Sequence, residues 1–302
     1  MSDSLSLRSK TTMKVGGPVE VMVTLPEFLK GLENGRVFPK PIRVLGNGSN
    51  ILIDDRGLKG TVIVTREGPQ AQPNVKNSTD DFTVVECAAG LYLPGLANWA
   101  LQNAWTGCEY MIGVPGTVGG ALVQNAGANG QEFSEIFESA EVLDLETGKT
   151  LTVNKNEAKL DYRTSVFKDQ PNWVILSCII KLKRGSRSVI EKQMAENQNY
   201  RRTKTPFAKP SLGSVYTRLK NSQGEWIYPG KLIEDAGLKG RKAGGAQIST
   251  VHANYIVNNG QATFTDVIAL MKDVQAEVLK HSGVELHREV LVWSNGSNPL
   301  LQ

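Results

Sequence analysis

The chain has little cysteine, little histidine and no long hydrophobic run, and each shortage excludes something. Its three cysteines, Cys87, Cys108 and Cys178, have no CxxC spacing. An odd number without a framework argues against a disulfide-stapled secreted domain and against a cysteine-built metal site. Their apolar neighbours make them small core residues. The three histidines (His252, His281, His287) come without an HExxH or a carboxylate cluster at ligand spacing, so no metal centre is expected. No window approaches ~18 unbroken apolar residues, so nothing is expected to span a membrane. The opening Met-Ser-Asp-Ser-Leu-Ser-Leu-Arg lacks the basic-then-apolar order of a signal peptide, which predicts a cytoplasmic protein. Excess charge is also scarce: 34 Lys+Arg against 30 Asp+Glu leaves +4, too mild for a dedicated nucleic-acid binder. The densest basic stretches, Lys181–Arg184 and Arg201–Lys204, suffice to meet one small anion or to form a solvated face.

What is present is ordinary globular material with one bias. The 302 residues fit one large domain or two to three smaller ones. An apolar content of 40% leaves ample material for a core. Glycine is in excess, 30 residues against ~7% in an average protein, and the excess is clustered. Gly46-Asn47-Gly48 begins a GxGxxG, but Ile51 stands where the last glycine should be, so the dinucleotide fingerprint is incomplete. There is no GxxxxGK[ST] and no GxSxG, which argues against a P-loop enzyme and an α/β-hydrolase.

The pattern predicts a mixed α+β chain with a boundary near 190–210. Strands are expected at Ile42–Leu45, Thr61–Thr65 and Thr83–Ala88, with Gly68–Asp80 as an exposed loop. A helix is expected over Gly90–Trp105, with Pro94 in its first turn. Two strands should flank the turn Glu146–Lys149, a third should cover Trp173–Leu182, and Val189–Tyr200 reads as a polar helix bridging two domains. A strand at Ala253–Asn258 precedes a helix whose apolar stripe is Val267, Leu270, Met271, Val274 and Val278, with Thr263 as N-cap and Gly283 as stop. Lys231 and Glu234 should share a helix surface and form a weak ion pair.

Two glycine loops, Gly46–Asn50 and Gly113–Ala121, stand out because backbone without Cβ atoms can bring N–H groups against a phosphate. Either alone is equally a tight turn. Together with later motifs they resemble a family. Leu45-Gly46-Asn47-Gly48-Ser49-Asn50-Ile51-Leu52 resembles the GxGSNxL loop of the UDP-N-acetylenolpyruvoylglucosamine reductases, and Gly113-Val114-Pro115-Gly116-Thr117-Val118-Gly119-Gly120-Ala121 their second glycine segment, running on into Gln124-Asn125-Ala126-Gly127-Ala128. Tyr162–Lys168, Pro210–Tyr216, Gly230–Gly240 with Gly244–Gln247, and Leu286–Val290 follow in the family's order. Only 38 positions separate Arg163 from Arg201, so the chain resembles the compact subgroup without the tyrosine-bearing insertion.

The resemblance implies a two-lobed FAD-binding domain of the vanillyl-alcohol-oxidase (PCMH) type, with lobes at 1–65 and 66–205. A C-terminal α+β substrate-binding domain would cover 206–302, its last strand free to return to the first lobe. It implies FAD and NADPH as cofactors and a UDP-linked enolpyruvyl sugar as substrate, with neither nucleic acid nor membrane as partner and a monomer expected. The cofactor residues it implies are Gly46, Asn47, Gly48, Ser49, Asn50, Gly113, Pro115, Gly116, Thr117, Gly119, Gly120, Asn125 and Ala126. Arg163 and Glu289 would stabilise an enolate and Ser214 would donate a proton to it. Taken alone, these three read as a surface cation, a solvated strand residue and a turn residue. Arg201 and Lys204 would approach the substrate's diphosphate or carboxylate, or form a solvated basic turn. Two departures matter. Arg218-Leu219 stands where the family has Asn-Pro, making Arg218 the candidate substrate contact. Arg288 replaces a proline, and a cation there favours ionised Glu289, whereas an enolate stabiliser should be protonated. Two rival readings remain at this point: another FAD-dependent oxidoreductase, such as a sugar or alcohol oxidase, and a non-catalytic nucleotide-sugar binding protein.

Overall fold

The computed structural model describes residues 5–68 and 71–295. The N-terminal tetrapeptide, two residues of the expected 68–80 loop, and the last seven residues lie outside that description. The first lobe begins with β1 (Val19–Thr24) and α1 (Leu25–Glu33), which Thr24 and Glu27 start with a reciprocal capping box. Then come β2 (Ile42–Leu45), β3 (Ile51–Ile53) and β4 (Leu58–Val64). β4 lies between β1 and β2, parallel to both, and its near-continuous burial is what a central parallel strand requires.

The second lobe is an antiparallel sheet. Its strands are β5 (Asn74–Ser78), β6 (Phe82–Ala88), the short β7 (Trp105–Thr106), β10 (Phe137–Asp144), β11 (Thr150–Asn154) and β12 (Trp173–Arg184), in the order β11-β10-β12-β6-β5 with β7 also on β12. Against it pack α2 (Leu93–Gln102) and α3 (Val118–Val123). A small hairpin, β8 (Gly127–Ala128) and β9 (Gln131–Glu132), follows α3, and the single turn α4 (Val166–Asp169) precedes β12. The expected loop over 68–80 is corrected here, since part of it is strand β5. Its residues are exposed on both faces, so no alternation marks it; an edge ladder to β6 and the Lys76–Glu86 ion pair (2.8 Å) hold it. The three cysteines are buried and free, with Cys87 opposite Cys178 across β6 and β12, and burial pushes all three thiols up.

The helix expected to bridge domains is α5 (Arg187–Lys204). It is packed on the second lobe through Ile190 and Met194, and its last turn carries Tyr200, Arg201 and Lys204 toward the molecule's centre.

The C-terminal unit contains β13 (Ser211–Ser214), a hairpin of β14 (Leu219–Lys220) and β15 (Trp226–Ile227), α6 (Pro229–Asp235), β16 (Lys242–Ala243), β17 (Ala246–Ile248), β18 (Tyr255–Asn258) and α7 (Phe264–Ser282). Its sheet runs β13-β18-β17-β16. α7 begins at a Thr263/Asp266 capping box and ends at Gly283, whose φ of +71° suits glycine. All five residues of the expected stripe are buried. The core beneath α7 also takes Met13, Val15 and Leu52 from the start of the chain. Lastly β19 (Leu291–Trp293) pairs in parallel with β3, so the chain's end returns to its beginning. On α6, Lys231 pairs with Asp235 and Glu234 pairs with Lys239 (2.9 Å), correcting the expected Lys231–Glu234 pair: the i,i+4 partner is the one within reach.

Candidate active site

A cavity of about 520 Å³ lies where these three parts meet. One wall is the β2–β3 loop. Gly48 has φ +63°, and a Cβ there would stand 2.4 Å from the Lys10 carbonyl, so the loop's path depends on glycine. Among the described residues, the N–H groups of Asn47, Gly48, Ser49 and Asn50 find no acceptor. Successive free amides of this kind form a nest for an anion. The opposite wall is the loop into α3. Asn47 Nδ2 donates to the Pro115 carbonyl (2.8 Å), which ties the two loops together. A Cβ on Gly46 would come within 2.5 Å of Thr117 Oγ1, and that hydroxyl caps α3 by accepting from Gly120 N–H.

Arg163, Ser214 and Glu289 all line this cavity and an adjoining one of about 370 Å³. Arg163 has φ +55°, an uncommon backbone state for a residue with a side chain. Its guanidinium donates to the carbonyls of Asn125 (3.2 Å) and Gly127 (3.0 Å), and Nε stands 3.1 Å from Glu289 Oε1. Glu289 is held by its own backbone: its N–H donates to Val215 O (2.8 Å) and its carbonyl accepts from Asn50 Nδ2 (3.2 Å). The nest and the carboxyl are therefore one assembly. Burial raises the Glu289 pKa above the ordinary value, opposed by the nearby charges of Arg163, Lys168 and Arg218. Arg288 instead bridges Tyr216 through its backbone. The tension expected between a buried acid and a nearby cation is real, but its main source is Arg163.

Ser214 follows Gly213, whose φ is +76°, at an irregularity in the β13–β18 ladder that re-aims the strand. Its hydroxyl makes no hydrogen bond to a described residue. Arg201, Lys204 and Arg218 also line the larger cavity, where Glu289 is the one carboxylate among the described residues.

The other residues singled out in the sequence divide. Gly46–Asn50, Pro115, Gly116, Thr117, Gly120 and Ala126 face the cavity. Gly113, Gly119 and Asn125 stand behind its wall. A Cβ on Gly113 would meet Arg201 Cδ at 2.2 Å, so Gly113 makes room for that arginine. Gly119 packs against Ala89. The Asn125 side chain donates to Glu132 Oε2 (3.0 Å) and Asp161 O (3.1 Å) and accepts from Ser134 N–H (2.9 Å). The preceding residue, Gln124, is the one that faces the cavity. It is buried and neither atom of its amide has a partner among the described residues. Trp226 and Tyr228 carry no motif in the sequence, and Tyr162 and His252, though part of motifs, carry no site role there. His252 lines both cavities, and burial lowers its pKa.

A two-lobed α+β scaffold with a glycine nest over a cleft, closed by a separate α+β unit, defines a flavoprotein with a PCMH-type FAD-binding domain; residues 36–154 match a family profile described as "FAD binding domain". Residues 205–293 match that of "UDP-N-acetylenolpyruvoylglucosamine reductase, C-terminal domain". The chain belongs to the UDP-N-acetylenolpyruvoylglucosamine reductase family. The reductase of Caldanaerobacter subterraneus subsp. tengcongensis is 37% identical over 289 residues, covering 95% of this chain and 91% of that protein. That of Synechococcus sp. strain RCC307 is 39% identical over 288 residues, covering 93% and 90%. The crystal structure of the Thermus caldophilus reductase matches with a TM-score of 0.76 at 32% identity, over 95% of this chain and 97% of that one.

FAD fits what the cavity offers. The free amides of the β2–β3 loop suit a diphosphate, the cationic lining suits an anionic ligand, and the unpartnered Gln124 amide needs a polar partner that a ligand would bring.

Proposed function

We propose that this cavity reduces UDP-N-acetylglucosamine enolpyruvate to UDP-N-acetylmuramate, a step of peptidoglycan precursor synthesis, with Arg163, Glu289 and Ser214 as its catalytic residues. Bound FAD supplies the hydride, taken from NADPH, because side chains cannot carry one. The net change is one hydride on the terminal carbon of the substrate's double bond and one proton on the neighbouring carbon, with NADPH leaving as NADP⁺. Arg163 offers N–H donors to the substrate carboxylate and to the enolate that develops beside it. Glu289, whose pKa burial raises, donates a hydrogen bond to the same charge in its protonated form. Ser214 gives its proton to the carbon and regains one from solvent. The β2–β3 loop and Pro115, Gly116, Thr117, Gly120 and Ala126 hold FAD. Gly113, Gly119 and Asn125 keep that wall in shape from behind, while Arg201, Lys204 and Arg218 meet the ligands' phosphates.

The observation that carries this reading is that Arg163, Ser214 and Glu289, remote in sequence, line one cavity with the nest. The test is the absorbance spectrum of the purified protein, followed by NADPH and then the UDP-linked enolpyruvyl sugar. Flavin absorbance that NADPH bleaches and the sugar restores without oxygen is expected. A colourless protein would favour a nucleotide-sugar binder, and one reoxidised only by oxygen would favour an oxidase. We further place the chain in the compact subgroup, since α4, β12 and α5 fill the interval from Arg163 to Arg201. On this reading it acts in the cytoplasm as a monomer; none of its described helices is long and apolar enough to cross a membrane.

Gln124 yields a prediction whose two parts have opposite signs. Gln124→Leu removes two buried polar atoms that lack partners among the described residues, so the flavin-free protein should melt higher than wild type. The same change should weaken flavin retention on gel filtration. Lower melting of the flavin-free variant, or unchanged retention, would show that the amide serves the fold instead.

A further inference from the structure

Where the family pattern has Asn-Pro, this chain has Arg218 followed by the β14–β15 hairpin. The turn is self-contained. Asn221 Oδ1 accepts from the N–H groups of Gln223 and Glu225 (2.9 Å each), and Gly224 has φ +82°. The register sets Lys220 opposite Trp226 and brings the indole back over Arg218. The Arg218 guanidinium carbon stands 4.5 Å from the centre of the Trp226 ring, 4.7 Å from that of Tyr162 and 6.0 Å from that of Tyr228. The Tyr162 hydroxyl accepts from the backbone N–H (3.1 Å) and Nε (3.3 Å) of Arg218. Trp226 and Tyr228 remain 37% and 54% exposed, so these rings serve the surface more than the core. No described carboxylate is ion-paired with Arg218. Its charge, at the junction of the two cavities, is left for a ligand.

We propose that Trp226 is a positioning residue: with Tyr162 and Tyr228 it grips the Arg218 guanidinium by its faces, so that the N–H edge is preset to receive the diphosphate of the nucleotide sugar. The inference rests on the reductase reading for the identity of that ligand. A free arginine loses much rotamer freedom when it clamps an anion, and an aromatic cage moves that loss from binding to folding. Stacking occupies the faces of the guanidinium and Tyr162 takes Nε, which leaves the terminal N–H groups for phosphate oxygens.

The test is calorimetric titration of the FAD-loaded protein with UDP, alongside steady-state kinetics with the UDP-linked enolpyruvyl sugar. Trp226→Ala should raise the UDP Kd and the substrate KM roughly tenfold, with kcat falling far less. Trp226→Phe should recover most of the affinity, and Arg218→Ala should lose more than either. UDP binding as tight in the Ala variant as in wild type would overturn the proposal. So would a Phe variant as weak as Ala, or a lowered melting temperature with KM and kcat damaged alike. A wild-type protein whose UDP binding depends on Trp226, yet which does not reduce the enolpyruvyl sugar, would uphold the anchor and overturn the reductase reading.

Discussion

Ser214→Ala is expected to divide the reaction, leaving the bleaching of the flavin by NADPH near its wild-type rate while slowing reoxidation by the enolpyruvyl sugar about 10³-fold. The asymmetry follows from where the proton is needed. Taking hydride from NADPH asks nothing of the serine, whereas a substrate that has gained hydride cannot settle as product until the adjacent carbon is protonated. The proposed task is consistent with where the hydroxyl lies. Gly213 in the left-handed region and the ladder irregularity turn Ser214 toward the cavity, and no described residue takes its hydrogen bond. Its neighbours on the same cavity, Arg163 and Glu289, are those that would hold the carboxylate and the enolate oxygen. Stopped-flow absorbance separates the two half-reactions. Equal slowing of both would remove Ser214 from the proton path, and flavin retention measured on the same sample guards against a merely emptied site.

Much of this was legible in the sequence wherever backbone chemistry demands a residue type. Gly48 had to be glycine, because of its positive φ and the Lys10 carbonyl behind it, and its loop could be read as an anion nest before any fold was known. α7 was equally plain, since its cap, stripe and stop all lie within one stretch of chain. What was not legible has a common cause: it depends on contacts that local pattern does not encode. Asn125 and Gln124 are neighbours in a motif, and only the turn after α3 decides that Asn125 ties down Glu132 and Ser134 while Gln124 faces the cavity. Gly113 reads as part of a phosphate loop, yet its missing Cβ admits Arg201 from a helix far along the chain. β5 had no apolar alternation to betray it, because an exposed edge strand needs none. The cage around Arg218 joins Tyr162 to a hairpin more than fifty residues away, a separation at which no spacing rule operates.

The Arg163–Glu289 pair poses the sharpest question of the site, because the two partners make opposite demands on one proton. Arg163 at 3.1 Å favours a carboxylate; burial favours the acid, and its effect is the larger. A Glu289 whose pKa is raised donates a hydrogen bond to the enolate only while protonated, so that fraction falls as pH rises through the raised value. Reoxidation by the enolpyruvyl sugar should therefore decline on the alkaline side. Glu289→Gln keeps an N–H donor at every pH and should flatten that limb, with a loss of roughly tenfold or less at the optimum, whereas Glu289→Ala, which leaves no donor, should cost about 10²-fold or more. Stability carries the same sign. A carboxyl whose pKa is higher folded than unfolded contributes stability below its unfolded pKa and loses it as pH rises through the folded one. The wild type should thus lose melting temperature over that window relative to its Gln variant. If Gln proves as inactive as Ala and leaves the pH profile unchanged, ionised Glu289 is the working form, and its task is to orient Arg163 rather than to donate a hydrogen bond.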